Sequence, residues 1–155
     1  ARRRILITLR MPWPSLFAML KKLLLFFVIS ASAIGWLNRP HQLSVGSVTV
    51  NIEIADTENK RQQGLSNHTN LSDQSGMLFI FPQPGRHSFW MKDMNFPLDF
   101  IWIRDGQVVQ ISTNIPTTQP PVTLTPDQPV DQVLEVPAGF IDKYGIKVGD
   151  DVRRR

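Results

Sequence analysis

Hydrophobic and polar side chains alternate cleanly over residues 47–55 (SVTVNIEIA). Val48, Val50, Ile52 and Ile54 fall on one face, and Thr49, Asn51 and Glu53 on the other. A repeat of two is the signature of a half-buried strand. Asp56-Thr57 then offers an N-cap and Gly64 a stop, which predicts a short polar helix over residues 58–63. Residues 66–75 are rich in Ser, Asn and Asp and read as loop. Residues 76–81 (GMLFIF) predict a strand, ended by a turn at Pro82, Pro84 and Gly85. Residues 87–92 predict another, with Phe89 and Met91 on one face and Trp90 and Lys92 on the other. After a break at Met94-Asn95-Phe96-Pro97, residues 98–103 predict a strand that is mostly apolar on both faces. Asp105-Gly106 suits the positive φ angles of a type I′ hairpin turn, and residues 108–112 return.

Five of the 15 residues from Pro116 to Val130 are proline, so this stretch is an extended loop, neither helix nor central strand. Residues 132–136 resume as strand. Pro137, at a first helical position, and Gly145, at a stop, bracket a short helix over residues 138–144. Residues 146–152 end the domain. Six to eight short strands with two small helices predict a mostly β (α+β) fold. The expected form is a small barrel-like or folded antiparallel or mixed sheet with two short peripheral helices. A doubly wound parallel sheet is excluded, because strands do not alternate with long helices.

The start of the chain follows different rules. Residues 23–37 (LLLFFVISASAIGWL) carry no charge, and Lys21 and Lys22 precede them. A basic start, about 7–15 apolar residues and a small-x-small site make a signal peptide. Ala31-Ser32-Ala33 supplies that site, with cleavage expected after Ala33. The rival reading is an uncleaved anchor that also recruits residues 16–20; a spanning helix needs about 20 apolar residues. Both readings place residues after 38 outside the cytoplasmic membrane, periplasmic or at the cell surface, N-in and C-out. Met19-Leu20-Lys21-Lys22 would make a compact natural start, which would leave residues 1–18 outside the native chain. The expected organisation is residues 1–37 as export signal or anchor, 38–46 as linker with Arg39-Pro40 as a breaker, and 47–152 as the β domain.

Charge sharpens this picture. The chain of 155 residues has a formal charge of +4, but residues 1–37 hold six Lys/Arg and no acid. Residues 38–155 hold 11 Lys/Arg against 13 Asp/Glu, a net −2. A nucleic-acid binder carries its basic residues on the folded body; here the excess sits at the chain ends, and no nucleic-acid partner is expected. With no cysteine, thiolate catalysis, disulfides and cysteine-ligated metals are excluded. His41, His68 and His87 lack the spacing of a helical metal pair, and no metal or other cofactor is expected. Met77, Met91 and Met94 offer thioethers suited to Cu(I), although methionine is far more often core filler.

Four blocks carry a family resemblance: RQQGL at 61–65, GMLFIF at 76–81, SFWMKDMNFPLDFIWI at 88–103 and LEVPAGFIDKYGIKVGD at 134–150. Together they make residues 47–152 resemble the uncharacterised conserved family DUF192, also called UPF0127. The resemblance implies a small, often exported, compact β-rich and barrel-like domain, and no assigned activity. Some relatives carry a cysteine pair before the final strand, where this chain has its proline-rich segment; a thiol-dependent function therefore cannot operate here.

Asp99 is the most informative single residue. It sits among Leu98, Phe100, Ile101 and Trp102, and a buried carboxylate costs several kcal/mol unless it is paired or hydrogen-bonded. Lys92, Arg61 or backbone N–H groups in the turn 94–97 are its expected partners. Glu135, between Leu134 and Val136, poses the same problem. The expectation is that Lys92, Asp99, Glu135, Arg61 and Asp93 gather at one end of the sheet beside Trp90, a ligand platform for a sugar or cation. The bland alternative has Asp99 capping a turn and Glu135 solvated at an edge. Two functions follow. One is a non-catalytic binding or accessory module at the cell envelope, with a glycan, cell-wall fragment or envelope protein as partner, and the membrane itself if the N-terminal segment stays uncleaved. The other is a small extracytoplasmic hydrolase or lyase-like enzyme with Lys92, Asp99 and Glu135 as catalytic candidates. Convergence of those three groups on one point separates the two.

Overall fold

The computed structural model describes Lys21 and residues 41–155. The expected export segment and the Arg39-Pro40 breaker lie outside the described residues. Among those described, no helix is long and apolar enough to cross a membrane.

The elements in chain order are strands β1 (His41–Val45) and β2 (Val48–Ala55), helix α1 (Glu58–Gln63), and strands β3 (Ser75–Gly85), β4 (Phe89–Trp90), β5 (Leu98–Arg104), β6 (Gln107–Ile115), β7 (Thr123–Leu124) and β8 (Val130–Pro137). Helix α2 (Phe140–Tyr144) and strand β9 (Val152–Arg154) complete the domain. Seven strands form one mixed sheet in the order β6-β5-β8-β3-β2-β1-β9, and β4 pairs with β7 in a separate ribbon. Among the described strands only β2 and β3 pair in parallel, joined through α1. The sheet curls into a half-barrel whose outer strands approach at one end. There Val152 N–H donates to the Gly106 carbonyl (2.8 Å) and Val108 N–H to the Asp150 carbonyl (2.9 Å). The mostly β fold with two short helices is as the sequence predicts.

Alternation along the strands loads both faces of the sheet. On β5, Ile101 and Ile103 join one buried cluster with Leu134 and Val136 of β8 and with Phe140 and Ile141 of α2. Leu98, Phe100 and Trp102 join a second cluster on the opposite face, with Phe79 of β3, Phe89 of β4 and Val133 of β8. This two-sided burial explains why residues 98–103 lack a polar face. Trp102, fully buried, satisfies its indole by donating from Nε1 to Ser112 Oγ at 3.0 Å.

Local signals act as read at several places. The Thr57 side chain caps α1 by accepting from the Lys60 N–H, worth about 1 kcal/mol. Asp105 and Gly106 have φ of 51° and 76°, the paired positive values of a type I′ turn. Elsewhere the structure corrects the reading. Residues 41–45, expected in the linker, form β1, which pairs with β2 across the Gly46-Ser47 turn. Leu43 and Val45 alternate as a strand should, but over too few residues to stand out beside a proline. Strand β3 does not stop at Phe81 but runs through the prolines to Gly85. Its register with β8 shifts between Ile80 and Gly85, so the prolines fall where the ladder needs no N–H. The strand expected over 87–92 is only Phe89–Trp90, and its partner β7 lies inside the proline-rich loop. Pro137 ends β8 instead of starting a helix; α2 begins after Gly139, whose φ is 83°.

Candidate functional site

A cavity of about 490 Å³ opens beside the second apolar cluster. That volume suits a small ligand. One wall is the α1 face from Glu58 to Gln63 with the loop from Gly64 to Ser66; the other is β3 and the segment 87–90. Gly64 lets this loop approach, because a Cβ there would sit 3.3 Å from the Phe79 ring. The aromatic lining holds itself in place. Phe79 meets Phe89 edge to face at 4.9 Å, and His87 stacks on Phe81 at 3.6 Å.

Glu135 reaches this cavity from β8, with Met77 of β3 on one side and Phe100 of β5 on the other. Its residue is only 5% exposed. No hydrogen bond or opposite charge from the described residues compensates its carboxyl, and burial pushes its pKa up to about 8. At neutral pH the group is therefore mostly protonated, a donor as well as an acceptor. Gly76 makes this packing possible. A Cβ there would meet the Glu135 carbonyl oxygen at 2.6 Å, so only glycine lets β3 and β8 close at that level.

Arg61 lines the same cavity, but its guanidinium is committed. One terminal nitrogen donates to the carbonyls of Asp56 (2.9 Å) and Ile80 (2.8 Å), and the other to the Glu58 carboxylate (3.2 Å). It also lies 5.6 Å from the Phe81 ring centroid. Hydrogen bonds from Gln62 and then Arg61 hold the Glu58 carboxyl below its usual range. Arg61 thus braces α1 against β3 instead of pairing with a buried acid.

Trp90 stands at the rim, 59% exposed. Lys92 and Asp93 do not line the cavity; they flank a neighbouring groove shared with Trp90, Gln119 and Pro121. The Lys92 ammonium lies 5.4 Å from the Trp90 ring centroid.

Asp99 is elsewhere. In the register of β5 with β8 it faces Val136, while Phe100 faces Glu135. Facing residues share a side of the sheet, so Asp99 and Glu135 point to opposite sides. Asp99, fully buried, accepts hydrogen bonds from the Asn114 N–H (2.7 Å) and the Ile141 N–H (2.9 Å). Between Leu98 and Phe100, β6 spends three residues against two on β5, and this bulge presents the Asn114 amide. Asp99 therefore ties β6 and α2 to β5, and neither Lys92 nor Arg61 is its partner. The structure gathers Glu135, Arg61 and Trp90 around one cavity, leaves Lys92 and Asp93 outside it, and removes Asp99 altogether.

Phe79, Phe81 and Phe89 are cavity residues that the charged-cluster reasoning passed over. The alternation of Phe79 and Phe81 on one strand face was the available signal. The three methionines pack in the second apolar cluster. Among the described residues, no three His, Asp or Glu side chains are grouped to hold a metal.

Relatives of known structure share this architecture. A Sinorhizobium meliloti 1021 protein described as a "putative transcription regulator" superposes with a TM-score of 0.70 at 27% identity, covering 75% of this chain and 94% of its own. A protein of unknown function from Novosphingobium aromaticivorans DSM 12444 gives 0.67 at 31% identity, covering 72% and 83%. No curated protein matches the sequence. The model of the family described as Uncharacterized ACR, COG1430 matches residues 41–154, taking in β1 and β9 as well as the four sequence blocks. The chain belongs to the DUF192 family.

Proposed function

We propose that this domain is a non-catalytic binding module, taking a small ligand into the aromatic-walled cavity beside Glu135 and acting outside the cytoplasmic membrane. The observation that carries the reading is a ligand-sized cavity containing a buried carboxyl with no partner among the described residues. Proteins satisfy buried polar groups, and an exception needs a reason; a bound ligand supplies one. The enzyme reading needs Lys92, Asp99 and Glu135 to converge. Instead they occupy an outer groove, the opposite side of the sheet and the cavity. Glycans, cell-wall fragments and peptides of envelope proteins are the ligands to try first, since an exposed tryptophan at a cavity rim suits the apolar face of a sugar.

A thermal-shift screen with such fragments tests this. A ligand at ten times its Kd stabilises the native state by about 1.4 kcal/mol, a shift of several degrees in Tm. At least one fragment is expected to give that shift, and Trp90→Ala to abolish it. The variant should otherwise fold normally, because truncating an exposed side chain changes stability by about 0.5 kcal/mol or less. Conversion of a fragment to product by the wild type but not by Glu135→Gln would instead establish an enzyme.

The extracytoplasmic location rests on Lys21-Lys22 followed by 15 uncharged residues. A reporter that is active only outside the cytoplasm, fused after Arg155, is expected to be active. Replacing residues 23–30 with a polar stretch should silence it, and activity that persists would overturn the assignment.

A further inference from the structure

The geometry points to an organic cation as the ligand: a primary or quaternary ammonium group seated against the Glu135 carboxylate among the aromatic rings of the cavity. This rests on the binding reading above and narrows it to one chemistry.

Three observations lead there. First, Glu135 is only 5% exposed, lines the cavity, and has no partner for its carboxyl among the described residues. Ionising a carboxyl there needs a counter-charge, which no described residue supplies and a bound cation would. Second, Phe79, Phe81, Phe89 and Trp90 line the same space; Arg61 already lies over Phe81 and Lys92 over Trp90, which leaves the rings of Phe79 and Phe89 to a ligand. Ring faces attract cations, and more strongly away from water. Third, the other charges leave little for an anion. The titratable groups around the cavity are Glu58 and Arg61 from α1 and His87 before β4. Arg61 already serves two carbonyls and Glu58. An anion would find this occupied guanidinium and face two carboxyls. A neutral ligand would gain one hydrogen bond from Glu135 and no charge compensation. A cation gains both the carboxylate and the rings.

The proton balance is explicit. At pH 7 the empty cavity holds Glu135 mostly as the neutral acid, given a pKa of about 8. An arriving ammonium group favours the carboxylate, so one Glu135 proton leaves to solvent as the ion pair forms. Affinity therefore rises with pH until Glu135 is ionised without the ligand, by about tenfold per unit below that point.

Calorimetry on the 155-residue chain tests this with benzylamine, benzyltrimethylammonium and, as the neutral counterpart, benzyl alcohol. Titrations at pH 7 in two buffers of different ionisation enthalpy count the protons released. Expected are binding of one or both cations with close to one proton released, at least tenfold weaker binding of benzyl alcohol, and a tenfold fall in cation affinity from pH 7 to 6. Glu135→Gln should weaken the cations at least tenfold and remove the pH dependence; His87→Gln should leave that dependence intact. Equal binding of benzyl alcohol, with no proton release and no effect of Glu135→Gln, overturns the cation assignment but leaves a binding cavity. A pH dependence that survives Glu135→Gln and vanishes in His87→Gln also overturns it. Silence from all three probes overturns it too, and silence from the glycan and cell-wall screen as well removes the binding reading with it.

Discussion

Replacing Glu135 with glutamine is expected to stabilise the unliganded domain, by a margin that grows with pH. In the unfolded chain this carboxyl titrates near 4.5, and in the fold burial raises it to about 8. Between those values the folded state holds a proton that the unfolded state has released. Rising pH therefore favours unfolding, by about 1.4 kcal/mol per unit. Below the lower value both states are protonated and Glu135 costs little beyond its missing hydrogen bonds. At pH 8 and above the accumulated penalty is on the order of 5 kcal/mol. Glutamine keeps the shape and the polarity but has no proton to lose. Urea denaturation at pH 5, 6.5 and 8 should show the wild-type midpoint falling against that of Glu135→Gln, with the widest gap at pH 8. A gap that does not change with pH would mean that the folded protein holds Glu135 ionised at neutrality. A large part of a domain's stability is at stake, so retaining an acid at this position calls for a return elsewhere, and the cavity is where that return is collected.

The second buried acid behaves in the opposite way. Asp99→Ala is expected to destabilise by about 2–4 kcal/mol, because it strands the buried Ile141 N–H, at a cost of roughly 1–3 kcal/mol, and frees the part-buried Asn114 N–H, at a smaller one. Those amides belong to Asn114, where β6 bulges, and to Ile141, in the first turn of α2. Asp99→Asn should be intermediate: its amide can accept from one N–H but turns a donor toward the other. Chemical denaturation of both variants gives the ranking. Ligand affinity of whatever remains folded should match the wild type, since Asp99 lies across the sheet from the cavity. Loss of affinity in a folded Asp99→Asn protein would return this residue to the site. Two carboxyls on neighbouring strands thus carry opposite signs in the stability of one domain, and the difference is whether backbone amides meet them.

That contrast marks how far the sequence could be read. Local rules acted where written: the alternation of Val48 to Ile54, the Thr57 cap and the Asp105-Gly106 turn each needed only their neighbours. That Asp99 needed company was also legible from its apolar surroundings. Its partners were not, because they lie 15 and 42 residues away and are backbone groups with no side-chain signature. The expected charged cluster failed on register. A single-residue slip between β5 and β8 would have put Asp99 and Glu135 on the same side, and nothing in either strand's composition fixes that offset. Glu135 is legible as an acid between apolar neighbours, but its lack of a partner among the described residues emerges only once β3, β4 and α1 enclose it. The cavity's aromatic lining was visible as separate residues, not as a wall.

The curled sheet has a consequence for how the polypeptide matures. Leu43, on the first described strand, faces Arg154 on the last, and Gly106 accepts from Val152. Contacts between such distant positions form late, because the intervening length must first be brought together. A polypeptide still emerging from a ribosome lacks β9. Until it arrives, β1 has no neighbour on its outer edge and the apolar cluster around Leu43 and Val45 lacks Val152.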